Sequence, residues 1–314
     1  MRFSSFVFSA GLGAAVTIPR QADNACANPA KRVEWRTLDV GVQKQYIDAV
    51  LCLKTKPSGI GLNTTRYDDF PYVHTHLDNT IHTVAMFLPW HRLFVQVYED
   101  SLRDCGYTGP MAYWDWTLDA DDPTKAPLWD VTTGFGGNGD PAIDPKSSSK
   151  KCLVDGPLKG LQVAYTMKGY QPHCLARNWN SGIAFPGDML ADSYNKESVD
   201  KVAALDNYED FRYQLEGGPH GAIHSAVGGD MSPATSPNDP IFFLHHAQID
   251  RLWTLWQMEK PETRTNEFGG PKTLNENKPG EATLNDVMPY LNLVPDIKVS
   301  EVMGTQTSKL CYNY

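Results

Sequence analysis

Several features that would place the chain in a non-globular or nucleic-acid-binding class are missing from its sequence. The 28 Lys and Arg residues are outnumbered by 37 Asp and Glu residues, and the net charge of −9 repels polyanions such as nucleic acid or an acidic membrane surface. A hydrophobic fraction of 41% excludes wholesale disorder, and the composition excludes collagen and coiled coil. No internal repeat is visible, which argues against a solenoid or propeller. A neutral or cationic small molecule is the partner that this charge favours.

The chain also lacks an apolar run of the roughly 20 residues that span a bilayer. The mostly apolar stretch from Phe6 to Val16 is shorter, and it follows Met1-Arg2. A positive start before a short apolar segment predicts a secretory signal peptide, assigned to residues 1–20 without a fixed cleavage point. The alternative is a short buried helix. We expect residues 21–314 to be secreted and extracellular, as one main core with long loops or as two small domains.

Cysteine is infrequent, but the six residues form an even number. An even count in a secreted chain predicts disulfide pairing in an oxidising compartment. We therefore expect three disulfides, of which only the pair nearest in sequence, Cys152 with Cys174, is predicted individually. The triplet Asn63-Thr64-Thr65 is a sequon for N-glycosylation, which also suits a secreted protein.

Apolar periodicity predicts helices and little regular strand. One helix is expected from Leu38 to Leu53, a second begins at Pro89, and a third follows Asn238-Asp239-Pro240. Residues 119–150 and 225–240 are rich in turn-forming residues, have no periodicity and predict long loops. The fold class expected from these patterns is mainly α, with long loops and few short strands.

Histidine is the informative residue, because eight of the nine histidines fall into two clusters. In the second cluster, His220 and His224 are four residues apart, which places two imidazoles on one helix face as metal chelation requires. Gly221 stands where the HExxH motif of zinc proteases has Glu, so that class is disfavoured. A third donor comes from His245 or His246, which helical periodicity does not separate.

The first cluster offers a matching set. Its donors are His82, His91 and either His74 or His76. No cysteine or carboxylate sits at a comparable spacing in either cluster, and two three-nitrogen sites without an anionic ligand favour copper over zinc by a modest margin. His173 stands apart from both clusters and is predicted to be an ordinary loop residue.

Six stretches around and between these clusters have a recognisable sequence: Val73–Leu77, Ile81–Val95, Tyr98–Asp100, Pro110–Trp116, Gly217–Gly221 and Asn238–Trp253. They resemble the tyrosinase and catechol oxidase family of type 3 copper polyphenol oxidases, in particular its short secreted fungal forms, over about residues 31–314. The resemblance implies a single catalytic domain over residues 21–314, without a C-terminal shielding domain. It also implies a central four-helix bundle that holds a dicopper site.

The resemblance assigns a role to individual residues. Glu216 is similar to a carboxylate that holds a water near the coppers, although a solvated acid at a helix start is the alternative. Gly221 and Ser225 correspond to residues of the substrate pocket. The two copper ions are assigned three ligands each: His74, His82 and His91 for the first, and His220, His224 and His246 for the second.

Other positions are compared with the same family. Asp250 is expected either to orient His246 or to pair with an arginine. Thr80 stands where some relatives carry a cysteine bonded to the second ligand, so no such thioether is expected. Two features resemble the arginine and the tyrosine pair that frame the family's catalytic domain, namely Arg32 or Arg36 and Tyr312 with Tyr314.

The implied activity is the oxidation of o-diphenols (catechols) to o-quinones, with O2 as co-substrate reduced to water. Family members that hydroxylate monophenols well often carry Asn where this chain has Gly221, so a catechol oxidase is the first expectation. A tyrosinase that also hydroxylates monophenols and an o-aminophenol oxidase are the alternatives. Haemocyanin-like oxygen binding is less favoured because carriers cover the site with an added domain, and a zinc hydrolase would need an identifiable general base.

Overall fold

A computed structural model describes residues 26–144, 146, 150–180, 189–274 and 280–314. The predicted signal peptide, residues 1–20, lies outside the described residues. The fold is mainly helical with few short strands, as predicted. The helices of the described residues are α1 (Val40–Leu53), α2 (Asp69–Ile81), α3 (Phe87–Asp104), α4 (Lys196–Ala203), α5 (Tyr208–Leu215), α6 (Gly221–Val227), α7 (Ile241–Glu259) and α8 (Pro261–Arg264).

The strands occur as separate two-stranded pairs. Pairing is parallel for β1 with β8 and for β2 with β3, and antiparallel for β4 with β5 and for β6 with β7. Only the hairpin of β4 and β5 has strands longer than two residues. The bounds are β1 (Ala30–Lys31), β2 (Val33–Glu34), β3 (Ala112–Tyr113), β4 (Gln162–Thr166), β5 (Gly169–Cys174), β6 (Val287–Met288), β7 (Ile297–Lys298) and β8 (Tyr312–Asn313).

The core is built around a central bundle to which α2, α3, α6 and α7 each bring histidine side chains. Helices α3 and α7 pack against each other, and their N-terminal halves are buried on every side, from Phe87 to Val95 and from Ile241 to Asp250. A helix that is buried all round belongs to the middle of a domain. No helix in the described ranges is both long enough and apolar enough to cross a membrane.

The predicted helices are confirmed with shifted starts. Helix α1 begins at Val40 rather than Leu38, and α3 begins at Phe87 rather than Pro89. Pro89 is therefore the third residue of α3, still within the first turn, where a missing N–H leaves no intrahelical bond unmade. Helix α7 begins at Ile241, directly after the Asn-Asp-Pro sequence.

Helix α2 was not predicted, although it carries His74. Pro71 and a run of His, Thr, Asp and Asn give the segment a low intrinsic helix propensity. Tertiary packing overrides this preference, because Phe70, Val73 and Ile81 lie on the buried side of the helix. Their spacing was the signal in the sequence that could have found it.

Three disulfides are present and none of the cysteines is free in the described chain. The predicted pair, Cys152–Cys174, is confirmed. Cys52–Cys105 joins the ends of α1 and α3, and Cys26–Cys311 joins segments that flank the parallel pair β1–β8. Cross-links of this kind restrict the unfolded chain and typically contribute about 2–4 kcal/mol each.

Strand β5 overturns one expectation. His173 is part of this strand and not of a loop. Its Nε2 lies 2.8 Å from Oδ1 of Asp230, a buried carboxylate that also accepts a hydrogen bond from the Ala176 N–H at 2.8 Å. The hydrogen bond to Asp230 raises the pKa of His173. The hairpin is thus attached to the segment that follows α6.

Asp250 is the centre of a buried cluster of charges. Its carboxylate accepts hydrogen bonds from Arg32 at 3.2 Å, from Tyr314 at 2.6 Å, from Tyr312 and from Arg92. Burial alone would raise the pKa of Asp250, but Arg92 and Arg32 lower it below its usual value. Of the two sequence alternatives, pairing with arginine is confirmed, and Asp250 does not orient His246.

We predict that Asp250→Asn destabilises the protein by about 3 kcal/mol or more, because it leaves the buried guanidinium groups of Arg32 and Arg92 uncompensated. Asp48→Asn is the matched control. It removes the same charge from the exposed Lys44–Asp48 pair on α1, and its effect should stay within about 0.5 kcal/mol. Denaturant unfolding measures both. An Asp250→Asn variant as stable as the control would contradict the prediction.

The difference in stability between the parent protein and Asp250→Asn should depend on pH. The folded-state pKa of Asp250 is lowered, so the stabilisation by its charge is present above the unfolded pKa, near 3.9, and is lost as the pH falls through the folded value. The stability gap between parent and Asp250→Asn should therefore narrow below about pH 4. A stability difference that increases in acid would contradict the lowered folded-state pKa of Asp250.

Candidate metal centre

The first histidine cluster is formed where α2 ends and α3 begins. His74 lies on α2, His91 lies on α3, and His82 directly follows α2 in extended backbone with φ −116° and ψ 147°. One ring nitrogen of each histidine lies within 4.8 Å of those of the other two. The change from helical to extended backbone at His82 turns its side chain towards the other two rings.

The second cluster depends on a break in a helix. Between α5 and α6 the chain forms a wide π-helical turn, Glu216–His220, in which Gly218 leaves helical conformation with φ −92° and ψ −107°. A residue before proline is disfavoured in helical conformation, and Pro219 has no N–H to continue the helix, so Gly-Gly-Pro makes the break. The turn places His220 one helical turn before His224 of α6, facing His245 and His246 of α7.

Main-chain carbonyl groups fix the orientation of four of the rings. The carbonyl oxygens accept hydrogen bonds from Nδ1 at 2.6–2.9 Å: Ala234 O from His74, Phe87 O from His91, Glu216 O from His220 and Met231 O from His224. Because a carbonyl can only accept, each Nδ1 carries the proton. The Nε2 atom of each neutral ring therefore has a free lone pair.

These lone pairs meet at the centre of the site. His74 Nε2 lies 3.2 Å from His91 Nε2, and neither atom has a proton to share when both rings are neutral. His224 Nε2, which also has no proton in the neutral ring, lies 3.4 Å from His246 Nε2, and His220 Nε2 is buried without a hydrogen-bond partner. Two imidazole nitrogens bound tetrahedrally to one metal at about 2.0–2.1 Å are separated by roughly 3.3 Å. The donor set thus fits a metal ion in each cluster.

The rings are neutral because they are buried. Burial lowers the pKa of His74, His91, His220 and His246 well below the usual value, and lowers that of His224 to about 4. Neighbouring imidazoles lower these pKa values further. Neutral imidazole is the form that binds metal.

The two clusters adjoin and form one centre. The rings of His91 and His246 stack with their centroids 4.4 Å apart, and those of His82 and His220 are 6.4 Å apart. Phe242 stacks on His246 at 4.1 Å and meets the edge of His74 at 5.1 Å. Aromatic rings thus close the buried side of the centre.

His245 differs from its neighbour in its hydrogen bonding. The indole N–H of Trp116 donates to His245 Nδ1 at 3.2 Å. Indole only donates, so Nδ1 accepts and the proton of the neutral His245 ring lies on Nε2. Neither nitrogen of His245 then keeps a free lone pair. His246, by contrast, directs Nε2 towards His224.

Comparison with known proteins identifies the family. Residues 64–259 match the common central domain of tyrosinase. The tyrosinase-like protein phomQ1' of Diaporthe leptostromiformis is 40% identical, covering 96% of this chain and 83% of that protein. Tyrosinase ustQ of Aspergillus flavus is 38% identical, over 97% of this chain and 83% of its own.

The chain belongs to the tyrosinase family. A solved structure of a mutant polyphenol oxidase from Thermothelomyces thermophila is 30% identical with a TM-score of 0.77, covering 91% of this chain and 88% of that one. A functional unit of octopus hemocyanin, at 20% identity and a TM-score of 0.51 over 74% of this chain and 54% of its own, shows similarity of fold alone. The protein is accordingly a copper-dependent oxidase of the type 3 polyphenol oxidase family, whose members use a dicopper site.

In this tyrosinase-family protein, an open cavity of about 260 Å³ leads to the histidine centre. Its wall includes four of the clustered histidines together with Gly221 and Ser225, the two residues predicted to form the substrate pocket. The remaining wall comes from the loop after α6 and from Asp78 of α2, which sequence reasoning missed. The signal for Asp78 was its position four residues before His82.

Glu216 lies beside the second cluster but is engaged on both carboxylate oxygens. Oε1 accepts the Thr83 N–H at 2.6 Å, and Oε2 accepts from Arg212 at 3.2 Å. Burial raises the pKa of Glu216, and the contacts with Thr83, His82 and Arg212 partly offset this rise. Glu216 lines a second cavity of about 490 Å³, which shares His220 and Gly221 with the first.

Two further histidines stay outside the centre. His76 is exposed on α2, where Nδ1 donates to Tyr72 O at 2.7 Å and the two side-chain rings stack at 3.9 Å. His173 is paired with Asp230 on the hairpin. Neither residue belongs to the groups whose ring nitrogens converge.

Proposed function

We propose that the protein is a catechol oxidase, which converts o-diphenols to o-quinones and reduces O2 to water. In the second cluster, Nε2 of His224 lies 3.4 Å from Nε2 of His246. The observation that carries the proposal is in the first cluster, where the Nε2 lone pairs of His74 and His91 face each other at 3.2 Å. Lone pairs at that distance repel unless a cation lies between them. Family membership supports copper as that cation.

The proposed ligands are three imidazoles for each copper ion, and they come from four helices and from the segments that directly follow α2 and precede α6. The Trp116 hydrogen bond to His245 supports His246 as the α7 ligand, and the exposure of His76 supports His74 as the α2 ligand. In the proposed assignment His74, His82 and His91 bind one copper, and His220, His224 and His246 bind the other.

When bound, the two copper ions supply the redox capacity that dioxygen reduction and phenol oxidation require. The protein supplies fixed donors, because each anchored Nδ1 prevents its ring from rotating. Phe242 and Phe87 pack against the ligand rings and exclude water from the buried side. Phenols reach the site through the cavity lined by Gly221 and Ser225, which has no bulky side chain at those two positions.

Glu216 is proposed as the group that accepts the proton of the phenol, through a water held near Gly221. Its raised pKa supports this role, because a carboxylate of higher pKa is a stronger base near neutral pH. The wall that its cavity shares with the substrate cavity, at His220 and Gly221, supports a position near the proposed second copper site. Gly221 has no side chain to hold that water, so the proposed preference is for catechols over monophenols.

We further propose that residues 21–314 form one secreted catalytic domain. Three disulfides support an oxidising environment, and the sequon residue Asn63 is exposed. Oxidation of monophenols, as in a tyrosinase, and oxidation of o-aminophenols are the alternatives that the substrate test below separates.

The metal assignment predicts about two copper ions per chain. His91→Ala and His220→Ala each remove one ligand of a different copper, so each should lower the copper content and reduce oxidase activity to background. His173→Ala is the control, because His173 lies on the hairpin and should leave both unchanged. Elemental analysis decides the number, and one metal per chain, or zinc at both positions after expression with ample copper, would refute the assignment.

The substrate preference predicts that initial rates on a catechol exceed those on the matching monophenol by about tenfold or more, because a well-positioned base contributes roughly 10²–10⁴-fold and only part of that assistance is expected here. Gly221→Asn should raise the monophenol share, because an amide oxygen there can accept a hydrogen bond from the water. The backbone accepts a side chain, with φ −63° and ψ −32° at Gly221 and a Cβ 3.4 Å from Glu216 O.

Gly221→Ala is the matched control, since it adds the Cβ without the amide. It should leave the ratio of the two rates as in the parent. Equal rates on monophenol and catechol in the parent protein would show that the base is already adequate, and the tyrosinase alternative would replace the proposal.

A further inference from the structure

The substrate cavity contains one carboxylate, and it belongs to Asp78. Asp78 lies on α2 and lines the cavity of about 260 Å³ together with His74, His82, His220 and His224. No Lys or Arg side chain is among the described residues that line this cavity. Asp78 is therefore the charged side chain among the described residues of the cavity wall, and its charge is negative.

The position of Asp78 within the site is defined by one contact. Its Oδ1 lies 2.8 Å from Nδ1 of His82, one helical turn further along the chain. Of the six proposed ligands, His82 is the one whose Nδ1 faces a side-chain carboxylate; four others are anchored on main-chain carbonyls. The Asp78 charge is thus one imidazole ring away from the point where the histidines converge.

The charge of Asp78 is not neutralised by a cationic side chain. The buried aspartates Asp250, Asp68 and Asp239 each pair with Arg or Lys. The contact of Asp78 is instead with His82, a ring that is proposed to bind metal and is therefore neutral. The Asp78 side chain is 39% exposed and lines the cavity. An exposed carboxylate at a cavity wall favours a cation and repels an anion.

We propose that Asp78 is a specificity-determining residue that recognises a cationic group on the side chain of the phenol. The substrate class is a phenol or catechol with an ammonium group on a short chain, in preference to neutral or carboxylate-bearing phenols. The ring enters towards the histidines while the ammonium group stays at the level of Asp78. This inference rests on the proposed function, because it names the substrate class of the same site.

The contact with His82 indicates an alternative role for Asp78, which is to orient the His82 ring. A carboxylate at Nδ1 also orients a metal-bound imidazole, and loss of that orientation affects every substrate alike. Charge recognition instead affects substrates according to their charge. The two roles are therefore separated by comparing substrates that share a ring and differ in charge.

The kinetic test compares Asp78→Asn with the parent on three catechols: dopamine, which is cationic, 4-methylcatechol, which is neutral, and 3,4-dihydroxyphenylacetate, which is anionic. We expect the KM for dopamine to rise about three- to fivefold, the size expected of a partly exposed ion pair, the KM for the neutral catechol to be unchanged and the KM for the anion to fall. Asp48→Asn is the matched control for net charge, because Asp48 lies on α1 in an exposed pair and should change none of the three.

A uniform loss of kcat on all three substrates, without a change in their relative KM, would show that Asp78 acts by positioning His82 and would overturn the proposal. An equal change of KM in the Asp48→Asn control would also overturn it, since net charge would then account for the effect. The dopamine effect should weaken in high salt, because salt screens exposed charges.

A binding test keeps this proposal separate from the proposed function. 2-Phenylethylamine and 2-phenylethanol share a ring and chain length, differ in charge and have no phenolic hydroxyl to oxidise. Calorimetry on the copper-loaded protein should show that the amine binds about three- to fivefold more tightly than the alcohol, and that Asp78→Asn removes this difference. Equal binding by the parent refutes the role of Asp78, whereas charge-dependent binding without catechol oxidation refutes only the proposed function.

Discussion

The arrangement of protons on the imidazole rings is the constraint on which the rest of the site depends. Each of four rings donates a hydrogen bond from Nδ1 to a main-chain carbonyl, and this leaves Nε2 with a free lone pair that faces the centre of the site. The carbonyls come from elements that must stay in register with the ligands, namely the first turn of α3, the turn before α6 and the loop after it. These four proposed ligands are therefore positioned by backbone geometry more than by other side chains.

The dependence of the site on backbone geometry explains which of its parts could be predicted from the sequence. The spacing of His220 and His224, and the clustering of the histidines in two groups, are local properties and are visible without a structure. The choice between His245 and His246 is not local, because it turns on Trp116, a residue far away in sequence that occupies Nδ1 of His245. Helix α2 was missed because its residues have a low helix propensity, although Phe70 and Val73 have helical spacing and their packing stabilises the helix. The role of Asp250 was also undetermined, since His246 lies four residues away, an arginine was the alternative partner, and neither sequence distance nor composition identifies Arg32.

The buried charge cluster around Asp250 connects segments near both ends of the described chain to the helices of the metal centre. Arg92 directly follows the proposed ligand His91 on α3, and it binds Asp250, Thr254 and Gln257 along α7, the helix of His246. The register of the two helices is thus fixed by polar contacts that begin one residue after the proposed ligand His91 on α3 and four residues after the proposed ligand His246 on α7. Arg32, stacked at 3.5 Å over the ring of Tyr312, adds the strands β1 and β8 to the same cluster. Paired charges of this kind contribute little net stability relative to apolar packing, but they permit one alignment of the helices and penalise others.

Glu216 has a structural role in addition to its proposed role as a base. Its main-chain carbonyl anchors Nδ1 of His220, and its carboxylate binds the N–H of Thr83, the residue after His82. Thr83 has a positive φ of 56°, a conformation that costs a non-glycine residue about 1–3 kcal/mol and persists only where surrounding contacts impose it. One residue therefore supports a ligand in each cluster, the His220 ring through its main chain and the backbone beside His82 through its side chain. Removing the carboxylate would release the strained turn as well as the base, so loss of activity alone does not distinguish proton transfer from support of His82. The distinction lies in the substrates, because a displaced His82 would impair catechols and monophenols alike, whereas a missing base would impair monophenols more strongly.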